Sequence, residues 1–341
     1  EGILEEGGVE LKHTNRGTVV RMDQPYGAFA KALLERQRYP DLRDASGHPV
    51  APYDVTAHTL SLLMGVEVTP VFAPFKYSEV GIGAGDGVPG KAYERVAVYK
   101  SHVPAIDEGW TRWVLKDSFN YMLHPVEAKS LEDKEAREGS LLAKYDTIII
   151  PDQASRAILN GYKSGTMLPE LTGGLGASGS QALREFVEAG GTLICLNRAS
   201  SFAIEEFKLP VRDVTEGLKR TEYYAPGSIL RTEVDASHPV ATGMPKESIA
   251  WVENSPVFEV SDPTQGSRVR VIASYPRDTN PLLSGWLLGD ERLRGKAALL
   301  EVSLGKGRVY LFGFRPQYRG QSLATYPLFF NAILQASSFS R

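Results

Sequence analysis

The sequence predicts an α/β protein: a mostly parallel sheet with helices on both faces, extended by antiparallel strands and preceded by a small α+β segment. Three observations predict it. From Arg95 onward, short β-branched apolar runs alternate with amphipathic helical stretches, the pattern of parallel strands joined by crossovers. The run Thr192–Leu196 carries no polar alternation, as expected of a strand covered on both faces. Asn197, Arg198, Ser200 and Ser201 follow it at once, at the strand end where open parallel sheets place ligands and catalytic groups.

Taken in order, residues 1–22 are polar with one expected strand at 18–22. Residues 28–38 are good helix formers, with Ala28, Ala32 and Leu33 near one face, and Tyr39-Pro40 ends that helix. A turn-rich loop at 41–52 leads to a second short helix at 55–64, stopped by Gly65, and to an extended stretch at 66–75 carrying Pro70 and Pro74. The glycine-rich stretch 79–93 has no periodicity and reads as a linker between an N-terminal segment, 1–78, and the main domain, 94–341.

In the main domain, Val96–Tyr99 is a strand, and 109–123 is a helix with Trp110, Trp113, Val114 and Phe119 turned inward. A second strand is expected at 124–128. Thr147–Ile150 is a β-branched strand ended by Pro151-Asp152. The helix at 181–189 sets Leu183, Phe186 and Val187 on one face, and Gly190-Gly191 stops it. The parallel part is expected to end after Phe207, followed by antiparallel strands at 229–234, 269–275, 297–303 and 308–314, with a hairpin turn at Gly305-Lys306-Gly307. A helix at 325–336 closes the chain. The order of elements is that of a flavodoxin-like layer.

Composition narrows the function. The chain has 341 residues, with 42% hydrophobic and 23% charged content, ordinary for a globular protein and long enough for two modest domains. A net charge of −3 without a basic block argues against nucleic acid or a membrane surface as partner. No apolar run approaches the length of a membrane span. The single Cys195 excludes an intrachain disulfide and any cysteine-cluster metal site. Because the chain starts at Glu1 and shows no signal-peptide pattern, a processed product or a fragment is expected.

Three segments resemble the class I glutamine amidotransferase-like fold: Tyr145-Asp-Thr-Ile-Ile-Ile-Pro-Asp152, Phe186-Val-Glu-Ala-Gly-Gly-Thr-Leu193 and Gly305-Lys-Gly-Arg-Val-Tyr-Leu-Phe-Gly-Phe314. Active members of that family carry a Cys nucleophile at a tight turn after a strand and a His–Glu pair after a late strand. The resemblance puts Asn197 at the nucleophile position, Arg315 at the His position and Gln317 at the Glu position. Asn is no nucleophile, Arg is a permanent cation, and Gln cannot orient an imidazole as a carboxylate does. The resemblance therefore implies three vacated catalytic positions, and the strand-end rule adds Arg198, Ser200 and Arg319 as further lining of any pocket that survives.

The N-terminal part resembles a different protein. Residues 23–42 and 52–66, together with Gly285-Trp-Leu287 and Phe314-Arg-Pro-Gln-Tyr-Arg-Gly320, resemble the region that follows the catalytic domain in long bacterial carboxypeptidase A-like zinc metallopeptidases. This implies an extracellular or periplasmic location, a peptidase domain of the same precursor as partner, and zinc held in that absent domain rather than here. A homo-oligomer is a further expected partner. The only His-x-x-Glu of this chain, His124-Pro-Val-Glu127, falls on an expected strand and supplies two ligands alone, too few for a catalytic zinc.

Three other features have bland readings. Cys195 inside an apolar strand reads as a small buried hydrophobe before it reads as a nucleophile. Gly173-Gly-Leu-Gly-Ala-Ser-Gly179 lacks the Gly-Lys-Ser/Thr ending of a phosphate loop and reads as a surface loop. Trp110, Trp113, Trp251 and Trp286 read as core rather than as a sugar platform. The expected function is a noncatalytic, amidotransferase-like accessory region. A self-associating assembly protein is the runner-up, and a thiol hydrolase using Cys195 the third reading.

Overall fold

Thr147-Ile-Ile-Ile150 and Thr192-Leu-Ile-Cys-Leu196 are buried at every position because each has a hydrogen-bonded parallel neighbour on both sides and helices above and below. The computed structural model describes residues 1–80, 95–132, 141–262, 264 and 268–337. Its strands in chain order are β1 (Leu11–Thr14), β2 (Gly17–Val20), β3 (Val96–Tyr99), β4 (Leu123–Val126), β5 (Thr147–Ile150), β6 (Thr192–Leu196) and β7 (Val211–Asp213). Then come β8 (Pro226–Val234), β9 (Glu247–Glu253), β10 (Phe258–Val260), β11 (Val269–Ser274), β12 (Leu282–Ser284), β13 (Ala297–Leu304) and β14 (Gly307–Phe312). β1 and β2 form a separate hairpin, and the others form one sheet.

The parallel half runs β4-β3-β5-β6-β14. Counted along the chain, that is strand order 2-1-3-4-5, the flavodoxin-like order of doubly wound sheets. The parallel part does not end after Phe207: β14 returns beside β6, with Leu311 opposite Cys195. A tight turn at Gly305, with φ +61°, reverses the chain from β13, so one strand of the hairpin belongs to each half of the sheet. The antiparallel half continues β13-β11-β8-β12, with β9 on β8 and β7-β10 joined to β13. Antiparallel pairings outnumber parallel ones in this mixed sheet, so "mostly parallel" holds only for the half that carries β6.

Strand periodicity splits the core in two. Ile149, Ile194, Leu196, Tyr310 and Phe312 pack on one face against Leu328, Phe329, Ala332 and Ile333 of the closing helix Tyr326–Ser337. Ile148, Ile150, Leu193, Cys195 and Leu311 pack on the other against Leu183, Phe186 and Val187 of helix Gly176–Ala189 and Phe202 of helix Ala199–Phe207. Burying one such side chain contributes about 1.5–3 kcal/mol.

Several elements depart from expectation, each for a local reason. The helix expected at 28–38 is Gly27–Leu34. Gln37 instead spends its backbone on the main domain, its N–H donating to Ser284 Oγ and its carbonyl accepting from the Gly285 N–H. The helix expected at 55–64 is only Leu60–Met64, because Thr56 and Ala57 donate their N–H groups to Gly227 O. Gly227, at φ +78°, lets Val55 lie where a Cβ would sit 2.5 Å from its side chain. The helix expected at 109–123 starts at Ile106 and turns into a π-helix over Trp113–Ser118. That widening leaves Trp113 half exposed rather than inward. The glycine-rich loop is shorter than expected, because helix Gly176–Ala189 already includes Gly176 and Gly179. Glu79 and Val80 bond to the β1–β2 hairpin, and the rest of the expected linker lies outside the described residues.

The N-terminal segment is stitched to the main domain. Ala57 and Leu63 share a buried cluster with Ile229, Ile249, Trp251 and Tyr318. The buried Thr56 hydroxyl lies 3.0 Å from Ser228 Oγ and accepts from the Trp286 N–H at 3.1 Å.

Candidate functional site

The site forms where β5, β6 and the chain beyond β14 end side by side. β6 must turn sharply to enter helix Ala199–Phe207, and Asn197 makes that turn at φ +52°, a left-handed conformation that Asn accepts more readily than most residues. Asn197 is fully buried, and its Nδ2 donates to Asp152 Oδ1 at 2.9 Å. Asp152 follows β5 and is itself buried. Its carboxylate also accepts from Arg198, through the backbone N–H at 3.0 Å, Nε at 2.9 Å and Nη2 at 2.7 Å. Arg315 completes the shell, donating from Nη2 to Asp152 Oδ2 at 2.7 Å.

Arg315 bridges more than one anion. Its Nε donates to both oxygens of buried Asp107, at 3.1 and 3.3 Å, and its Nη1 donates to the Glu253 carbonyl at 2.9 Å. Its guanidinium stands 5.6 Å over the Trp251 ring, which stacks in turn on Tyr318. Each of the three guanidinium nitrogens thus donates to a protein acceptor, so this cation holds its surroundings together.

The two aspartates respond oppositely to burial. Burial alone would raise Asp152, but the Arg198 hydrogen bonds and the Arg315 charge outweigh it and hold the carboxyl below its ordinary range. At Asp107 burial wins over the attraction of Arg315, and the nearby Asp152 charge adds to it, so its pKa is pushed up to about 7. The folded-state value lies above the unfolded one. Asp107 therefore favours folding most below its ordinary pKa of 3.8, and that contribution is lost as pH rises to about 7. Asp107→Asn is expected to flatten the pH dependence of stability across this window, as read from urea midpoints at successive pH values. An unchanged profile would show that Asp107 titrates elsewhere.

The structure brings together three of the residues singled out in the sequence: Asn197, Arg198 and Arg315, all on Asp152. The other three turn to separate partners. Gln317 is fully buried and donates from Nε2 to Thr111 Oγ1 at 2.9 Å. The Ser200 hydroxyl is buried and reaches the carbonyls of Cys195 and Phe312. Arg319 lies near the surface, 3.5 Å from Asp54 and over the Tyr318 ring. Arg198, one of the expected pocket residues, borders an open cavity of about 240 Å³ shared with Ser201, Arg220 and Asn254.

Sequence reasoning missed Asp152, Asp107 and Glu253. Asp152 carried a usable signal, since it stands just past the carboxyl end of β5 as Asn197 stands past β6. Cys195 lies inside β6, fully buried, and burial pushes its thiol far above the ordinary range. The His124 ring lies against Tyr145, and Glu127 pairs with Lys100. Among the described residues, no three His, Cys, Asp or Glu side chains are placed to hold a metal. No described helix is long and apolar enough to cross a membrane.

No protein-family model and no curated protein matches the chain. Solved structures resemble it distantly. A protein described as ThuA-like from Bacteroides uniformis is 14% identical, covering 76% of this chain and all of its own at a TM-score of 0.44. A cytoplasmic protein from Salmonella typhimurium is 14% identical over 71% of this chain and 98% of its own, TM-score 0.43. PurLQS from Thermotoga maritima is 15% identical over 71% and 97%, TM-score 0.41. The chain has a mixed parallel and antiparallel sheet flanked by helices, with the parallel half in the flavodoxin-like strand order.

Proposed function

We propose that this chain is a noncatalytic, amidotransferase-like accessory region that works beside a zinc carboxypeptidase-like domain of the same precursor, in an extracellular or periplasmic setting. The observation that carries the noncatalytic part is the Arg315 guanidinium bridging Asp107, Asp152 and the Glu253 carbonyl. A thiol route would need an accessible thiolate and a base beside it, and Cys195 is buried in mid-strand. The peptidase setting is supported by the N-terminal resemblance at residues 23–42 and 52–66. Tyr53 within that segment and Phe72 just beyond it are almost completely exposed, which suits a surface that contacts a neighbouring domain.

The test is a paired assay on the purified chain. Glutamine hydrolysis is expected to stay at the buffer rate, and iodoacetamide is expected to modify Cys195 only when urea unfolds the protein. Rapid alkylation of the native chain, with ammonia release abolished by Cys195→Ser, would overturn the noncatalytic reading. Mass spectrometry of the native polypeptide tests the setting: peptides of an upstream zinc-peptidase domain in the same chain are expected, and a native chain without them would remove that part.

A further inference from the structure

A second cavity, of about 250 Å³, opens at the carboxyl ends of β3 and β5. These are the strands between which the order of the parallel half reverses, the crevice where doubly wound sheets take ligands. Two buried polar atoms of its lining have no partner among the described residues: Gln153 Oε1 and His102 Nε2. Gln153 is only 6% exposed. Its Nε2 donates to the Val103 carbonyl at 2.9 Å, and because a carbonyl can only accept, the amide cannot turn round to hide its oxygen. A buried acceptor left unpaired costs about 1–3 kcal/mol, so a group that supplies a donor there is favoured.

The charges beside this cavity are already matched. Lys100 pairs with Glu127 at 3.5 Å and Glu108 with Arg112 at 2.7 Å. A charged ligand therefore gains less here than it would beside an unpaired charge. What the cavity leaves open is the acceptor of Gln153, the ring nitrogen of His102, and the hydroxyl proton of Ser101, whose oxygen accepts from the Val103 N–H. Pro104 and Pro151 supply apolar wall. A hydroxyl both donates and accepts, so a hydroxyl can answer any of these three groups. The volume lies below the roughly 300–1,000 Å³ usual for drug-sized ligands.

We propose that this cavity binds a small, uncharged polyhydroxylated molecule, anchored by a hydroxyl donating to Gln153 Oε1 and contacting His102 Nε2. The site does not depend on the charge cluster or on the noncatalytic reading, because neither Gln153 nor His102 takes part in that cluster.

The experiment is saturation-transfer NMR on the full chain with glycerol, myo-inositol and glucose, and with phosphate and acetate as charged probes. At least one polyol is expected to receive saturation, and the anions none. Gln153→Met is expected to weaken that binding about ten-fold, the loss of roughly one hydrogen bond. His102→Phe, a second variant read with a thermal melt, is expected to weaken it as well and carries the test if Gln153→Met does not fold. Absence of transfer to every polyol, unchanged affinity in a folded variant, or transfer to phosphate alone would overturn the proposal.

Discussion

Arg315→Met is expected to destabilise the protein by about 3–5 kcal/mol, the cost of removing one partner from a buried charge network. The methionine fills much of the volume but leaves Asp107 without the donor it has now and strips Asp152 of one of its two guanidinium partners. The loss should be unequal across pH. Asp107 already titrates near 7, so below that value it can take up a proton and become neutral, whereas Asp152 still faces Arg198 and stays charged. The penalty in urea midpoints is therefore expected to be smaller in mildly acidic than in mildly alkaline buffer. Arg315→Lys should recover only part of it, because an ammonium is a point charge and cannot span Asp107, Asp152 and the Glu253 carbonyl together. A loss no larger than that of an exposed arginine would contradict the geometry described here.

Trp251→Ala is expected to cost about 3–5 kcal/mol as well, the range for truncating a buried aromatic side chain. Trp251 is fully buried in β9, stacks on Tyr318 with ring centroids 3.4 Å apart, and sits under the Arg315 guanidinium. It also lies in the cluster that holds Ala57 and Leu63 of the N-terminal segment. The cavity should therefore loosen a contact far away in sequence. Limited proteolysis is expected to cut within the first 66 residues faster than in the wild type, while the parallel half stays resistant. Global unfolding with no preference for that segment would show that the two parts do not meet through Trp251.

How much was legible in the sequence follows from the range of the interactions concerned. β5, β6 and the β13–β14 hairpin were readable because each is a short apolar run with its own punctuation, Pro151 after one and Gly305-Lys306 between the others. The partner of β14 was not readable. A strand after a tight hairpin looks antiparallel on both sides, and only the sheet as a whole shows that its far edge meets β6 in parallel. β9 escaped notice because Glu247-Ser-Ile-Ala-Trp-Val-Glu253 has charged ends and no clean alternation. The helix limits at 28–38 and 55–64 were overrun by tertiary hydrogen bonds from Gln37 and Thr56, which no local propensity encodes.

The candidate site shows the same division. Asn197 and Arg198 were legible from their place after an apolar strand. Arg315 was named through a family resemblance, but its true partners lie 208 and 163 positions away at Asp107 and Asp152. No motif spacing reaches that far, and an aspartate in the first turn of a helix reads as an ordinary solvated charge until its burial is known.

The most direct test of the closed charge cluster is a double-mutant cycle between Arg315 and Asp152, using Arg315→Met, Asp152→Asn and the pair together. A coupling energy of at least about 1.5 kcal/mol is expected, because the two side chains share one buried hydrogen-bonded network. Additive losses, with coupling near zero, would mean that the guanidinium and the carboxylate do not hold each other, and that the strand-end crevice is open to other chemistry.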